Sequence, residues 1–173
     1  MAETKDAKRV RAILAQVKLL AGEYYRLTGK PLGVTGEVAE YVVAQTLGLQ
    51  LAPPRTEGYD AIRGTPDGQQ RIQIKGRAIG ENSKPGQRVG KIKRGAPCDT
   101  VMLVLLDNAT LEPQIIWEAT MADVEKRLGV GGSKARSRGS LRVNEFVRLA
   151  RQIWPNDRTV PKGTRRNGVT AGV

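Results

Sequence analysis

The chain has 173 residues, enough for one domain with its own core, and its 29 Lys and Arg against 17 Asp and Glu give a formal net charge of +12 that favours a polyanionic partner, nucleic acid first. It contains no His, which excludes histidine-based triads, histidine-metal nucleases and zinc sites that need imidazole. The single Cys98 rules out an internal disulfide and a four-cysteine metal site.

A reducing cytoplasm fits that cysteine usage. There is no apolar run of about eighteen residues and no signal-peptide core at the polar N-terminus. A soluble, cytoplasmic protein without a membrane partner is expected.

From Asp6 to Leu27, apolar Val10, Ile13, Leu14, Val17, Leu20 and Tyr24 recur at helical spacing, with Lys8, Arg9, Arg11 and Lys18 elsewhere on the surface. The spacing predicts an amphipathic helix ending at Gly29. It is either a packing helix with a solvated basic face, or a contact for a second copy (a homodimer) or nucleic acid. Residues 1–29 would pack on a domain spanning 30–156.

Thr35 is placed to cap a second helix, with Val38, Tyr41, Val42 and Leu47 as its apolar stripe, Glu37 and Glu40 one turn apart, and Gly48 as its stop. A short strand over 49–51 should follow. Then comes a hairpin: Gly58-Tyr59-Asp60-Ala61-Ile62, a Pro66-Asp67-Gly68 turn, and Arg71-Ile72-Gln73-Ile74-Lys75. Strand side chains alternate, so Ile72 and Ile74 point into a core while Gln73 and Lys75 point the other way, beside Asp60.

The basic, glycine-containing segment after Lys75 reads as a loop with short extended pieces. It carries Arg77, Lys84, Arg88, Lys91, Lys93 and Arg94, which would flank the hairpin. Residues 100–106 are continuously apolar, as in a central strand covered on both faces, with Cys98 as a small buried residue at its entry. Gln114 to Trp117 gives another strand, and Thr120 with Asp123 starts a short helix ending at Gly129.

A loop with Lys134, Arg136 and Arg138 precedes a last helix bearing Val143, Phe146, Val147, Ala150, Ile153 and Trp154, ended by Pro155. Residues 157–173 read as a basic mobile tail. With one Phe, four Tyr and two Trp, and Phe146, Trp117 and Trp154 fitting core positions, few aromatics remain for stacking on single strands.

A carboxylate, an amide and an ammonium converging on one ribbon suit metal-assisted phosphodiester cleavage: ligands for a hard cation, and a positive charge beside the attacking water. The bland reading is that Asp60 flanks a turn and Lys75 is a solvated strand residue. Glu37 sits in the first turn of its helix, where the dipole favours a carboxylate without any function.

The order of a helix with Glu40, Asp60 at the hairpin, Gln73-Ile74-Lys75 and an apolar strand resembles the restriction-endonuclease-like superfamily and its PD-(D/E)xK signature. The core match runs over about 36–106. A longer resemblance, through "GEVAEYVVAQTLGL", "GYDAI", "QIKGR" and "KPGQRVGKIK", is to uncharacterised bacterial proteins of a nuclease-like domain family.

The resemblance implies an α/β fold with a restriction-endonuclease-like core, a central mixed β-sheet of about four to five strands flanked by helices. It implies a catalytic set of Glu40, Asp60, Gln73 and Lys75, with Glu37 as the fallback acid. Asp60, Glu40, Gln73 and the Ile74 carbonyl would then hold Mg²⁺ or Mn²⁺. Gln73 stands where the family has its second acid, and Tyr59 where it has Pro.

The expected activity is metal-dependent hydrolysis of nucleic acid, DNA foremost. Arg77, Lys84, Arg88, Lys91, Lys93, Arg94, Lys134, Arg136 and Arg138 are the candidate phosphate contacts, which position a substrate without reading its sequence. A protein of this fold that binds nucleic acid without cutting it, and a dimeric structural or partner-binding subunit, stay open beside it.

Overall fold

A computed structural model describes residues 4–80 and 86–155. Lys84 and the expected tail over 157–173 lie outside the described residues. The chain is α/β, as expected, built on a mixed sheet of six strands: β1 (Gln50–Leu51), β2 (Ala61–Thr65), β3 (Gly68–Ile79), β4 (Thr100–Asp107), β5 (Pro113–Thr120) and β6 (Arg151–Trp154). The strands lie side by side in chain order. Every neighbouring pair is antiparallel except β3 and β4, which run parallel from Ile72 opposite Thr100 to Ile79 opposite Asp107.

Six strands replace the four or five expected, and the added one is β6. Helical spacing over Val143–Trp154 predicted one helix, but the helix there covers only Val143–Val147. Phe146 is buried in the cluster on one face of the sheet, while Ile153 and Trp154 pack against the cluster on the other. No single helix can serve both faces, so the chain turns at Arg148 and pairs with β5 as an edge strand. Residues 76–79, expected to be loop, continue β3, because its far half gains β4 as a neighbour.

Helix α1 (Lys5–Thr28) is capped by the Thr4 side chain, which accepts from the Ala7 N–H at 3.1 Å, and is closed by Gly29 at φ 68°, where a left-handed backbone favours glycine. Its docked face differs from the expected one. Leu14, Val17, Ala21 and Gly22 meet the domain, Lys18 pairs with Glu112, and Asn108 donates to the Tyr25 hydroxyl at 3.3 Å. Val10, Ile13, Leu20 and Tyr24 stay exposed.

Helix α2 (Thr35–Leu47) has Val34, not Thr35, at its N-cap and no side-chain cap. Packing holds it instead. Val38, Ala39, Val42 and Val43 lie against Ile72, Ile74, Met102 and Val104, and burial of this apolar face outweighs a missing cap worth about 1 kcal/mol. The opposite face of the sheet is covered by a second cluster that includes Val101, Leu103, Ile92, Leu141, Phe146 and Val124, the last from α3 (Met121–Gly129). Here Thr120 accepts from the Asp123 N–H at 3.1 Å, the expected cap.

Helix α2 approaches β3 closely because Gly76 has no side chain. A Cβ there would come within 2.5 Å of the Ala39 Cβ and 3.0 Å of the Thr35 carbonyl oxygen. Gly76→Ala should therefore destabilise the chain by roughly 1–3 kcal/mol, although alanine ordinarily costs less backbone entropy than glycine. Urea denaturation checks this, and an unchanged or raised midpoint would show that the helix is free to shift away from the strand.

Candidate functional site

The pairing of β2 with β3 begins at Ala61 opposite Ile72. One residue earlier, the Asp60 N–H still donates to the Ile72 carbonyl at 2.8 Å. Beyond that point a side chain takes over from the backbone. The Asp60 carboxylate accepts the Ile74 N–H through Oδ2 at 2.7 Å, and the same oxygen lies 4.0 Å from the Lys75 ammonium. Because the N–H and C=O of a strand residue leave the same edge, the Ile74 carbonyl points into the same notch.

Glu40 comes to this notch from the α2 side. Burial, first, and the nearby Asp60 carboxylate, second, push its carboxyl up from 4.5 to about 6, against the opposing pull of Lys75 and with a further push from Glu37. Such a shift records a carboxylate held partly out of water and facing a like charge. Glu37 itself is exposed in the first turn of α2, which leaves it the helix-dipole role.

Gln73 lies on the face bearing Lys75, but not at an open surface. It is 6% exposed, covered by the second apolar cluster. Its Nε2 donates to the Gly58 carbonyl at 3.3 Å, while its Oε1 is buried without a hydrogen-bond partner. Gly58 sits at φ 92°, with Pro97 so near that a Cβ would fall 2.7 Å from it. The turn that presents its carbonyl to Gln73 therefore needs glycine.

The structure thus brings Glu40, Asp60, Ile74 and Lys75 together at one gap in the sheet, with Gln73 beside them on the strand. Among the described residues there is no group of three or more Asp, Glu, Cys or His side chains arranged to hold a metal. Two carboxylates, a backbone carbonyl and an orphaned amide oxygen nevertheless make an oxygen-only donor set of the kind hard divalent cations take. A buried acceptor without a partner is costly, which sets the Gln73 amide oxygen apart from the other buried polar groups of the strand.

The basic residues divide into two kinds. The Arg77 Nε donates to the Arg88 carbonyl, Arg88 donates to the Ser140 carbonyl at 3.2 Å, and Lys93 pairs with Glu57. Arg136 donates to the Val130 carbonyl at 2.9 Å and the Gly131 carbonyl at 2.6 Å, and pairs with Glu145. That is a loop-closing role, and it leaves Arg136 little for a phosphate.

Lys91, Arg94, Lys134 and Arg138 are exposed. Lys91, Lys93, Arg94 and Arg138 line one cleft of about 480 Å³, and Arg94 also lines its neighbour with Lys134. Two basic stretches some forty residues apart therefore form one surface. What joins them is not visible in their charges: the Ile92 N–H donates to the Gly139 carbonyl at 2.8 Å and the Val89 N–H to Leu141 at 2.9 Å. Gly90 in this segment passes the site, its Cβ direction 3.6 Å from the Lys75 Cδ.

No family model matches the sequence, and no curated protein matches it. No helix among the described residues is long and apolar enough to cross a membrane.

Between pH 4.5 and about 6 the folded state holds a proton on Glu40 that the unfolded chain releases. Stability from this group is therefore full below the unfolded value and is lost as pH rises through about 6. In EDTA, Glu40→Gln should melt higher than wild type at pH 8, with the gap closing at pH 4.5. Melting curves at the two pH values check this, and a gap that widens toward acid would contradict the burial of Glu40.

Proposed function

We propose that the chain is a metal-dependent nuclease that hydrolyses phosphodiester bonds, DNA foremost, through a variant PD-(D/E)xK-like site in which Gln73 takes the place of the second acid. The observation that carries this reading is the meeting of Asp60, Lys75 and Glu40, from hairpin, strand and helix, at one gap in the sheet. The order of elements matches the resemblance in the sequence.

Asp60, Glu40, the Ile74 carbonyl and the Gln73 amide oxygen would hold Mg²⁺ or Mn²⁺, which supplies Lewis-acid polarisation of the phosphate and a lowered pKa for bound water. Hydrolysis joins a water oxygen to phosphorus and breaks one ester P–O bond, and the leaving alcohol takes a proton. Lys75 offers a fixed ammonium where negative charge grows on the phosphate oxygens. Asp60, anchored by the Ile74 N–H, keeps its other oxygen free of that bond and orients Lys75. Lys91, Arg94, Lys134 and Arg138 provide a cationic surface that would hold the backbone of a substrate.

Gln73 favours a second reading, a nuclease fold that binds nucleic acid without cutting it. Its Nε2 is engaged by Gly58, and the neutral amide leaves the notch one charge short of an acidic pair, which weakens cation binding.

Asp60→Asn and Lys75→Ala should each lower cleavage of supercoiled plasmid or linear duplex in Mg²⁺ or Mn²⁺ by about 10²-fold or more, with melting temperature little changed for Asp60→Asn. Activity retained in both variants would end the assignment. Wild type that binds but does not cut, and gains cation binding with Gln73→Glu, would select the second reading.

Arg94→Ala with Arg138→Ala should flatten the log–log salt dependence of DNA binding by about two contacts' worth. A salt slope unchanged from wild type would remove this surface from the binding path.

A further inference from the structure

Exposed large hydrophobic side chains concentrate on one element. Val10, Ile13, Leu19, Leu20, Tyr24 and Leu27 all lie on α1, and elsewhere among the described residues only Leu51 and Val130 are comparably exposed. With the half-buried Val17, five of the six form the series Val10, Ile13, Val17, Leu20, Tyr24 and Leu27, at steps of three, four, three, four and three. That alternation is the a and d spacing of a two-helix coiled coil. No charged residue occupies the seam between residues 10 and 27; Arg11, Lys18, Glu23 and Arg26 all fall outside it.

The docked face of α1, through Leu14, Ala21 and Gly22, is centred about a quarter turn around the helix from this seam, at roughly 100° per residue, with Val17 on the border and touching the domain from one side. The helix therefore has two apolar faces and the domain covers one. Solvent does not favour the other. Leu27 is 79% exposed and Leu20 60%, in a row that continues for nearly the whole helix.

We propose that this row is a homodimer seam, in which α1 of one copy pairs in parallel with α1 of a second. Residues 81–85 and 156–173 offer a poor cover by their composition. Residues 156–173 contain three Val and no Leu, Ile, Met, Phe, Tyr or Trp, and residues 81–85 are Glu-Asn-Ser-Lys-Pro. A second copy supplies the same six apolar positions in register. Val at two a positions with Leu at two d positions is the combination that suits a two-stranded parallel pair.

The quarter-turn offset supports the same orientation. A two-fold axis running along the helices puts the two domains on opposite sides of the seam. An antiparallel pair would put both domains on one side, level with each other, because the docked stretch over 14–25 and the seam over 10–27 share nearly the same midpoint.

Sedimentation equilibrium of the full chain tests the proposal. Wild type should run at twice the chain mass. The double variant Leu20→Lys, Leu27→Lys should run as a monomer with an unchanged circular dichroism spectrum, since neither side chain touches the domain core. Leu19→Lys, equally exposed but off the seam, should leave the dimer intact. Tyr24→Cys should cross-link to its own counterpart under mild oxidation, as residues at the same level of a parallel pair must.

A wild-type monomer at the highest soluble concentration overturns the proposal and leaves the row to the tail or to a different protein. A dimer that survives the double lysine variant also overturns it, by placing the interface elsewhere. Either result is independent of whether the chain cleaves DNA.

Discussion

At the end of the β2–β3 pairing the Asp60 carboxylate takes the Ile74 N–H that a backbone carbonyl would otherwise accept. That substitution lets β2 leave the sheet without orphaning a buried donor, which would cost about 1–3 kcal/mol. It also opens a gap between two strands two residues before Gly76, where α2 packs closely on β3. The same carboxylate is then a structural acceptor on one oxygen and the neighbour of Lys75 and Glu40. Removing its charge changes the electrostatics of the notch while an amide oxygen can still accept the bond, so structure and chemistry can be separated at this residue.

The local elements were legible because each is written in a single signal. Gly29 and Gly48 end α1 and α2 in left-handed conformations, Thr120 caps α3, and the apolar run over 100–106 is buried on both faces of β4. Asp60, Gln73 and Lys75 were readable from strand alternation with the resemblance beside it. Their closeness to Glu40 was not, since it depends on the contact between Gly76 and Ala39, two small residues without any motif.

What escaped was whatever depended on two layers at once. The spacing over 143–154 satisfies a helix, yet its apolar residues belong to opposite faces of the sheet. Helical periodicity marked the stripe of α1 but could not say which of two neighbouring apolar rows meets the domain. Arg136 and Arg138 look alike in sequence. One is drawn into carbonyls and Glu145, the other is exposed beside Arg94, because only the first faces the Val130–Gly131 turn.

The docking of residues 87–92 against 139–143 also bears on the order in which the molecule assembles. Three backbone hydrogen bonds, Val89 to Leu141, Ile92 to Gly139 and Val143 to Gln87, join stretches separated by about fifty residues. Closing so long a loop costs entropy that is recovered only once β3, β4 and β5 already hold its two ends near each other. The segment passing Lys75 therefore depends on the sheet for its place, and it returns the support: Val89 and Ile92 are buried with Val101 and Leu103 of β4, so lifting it away would bare that face of the sheet to water.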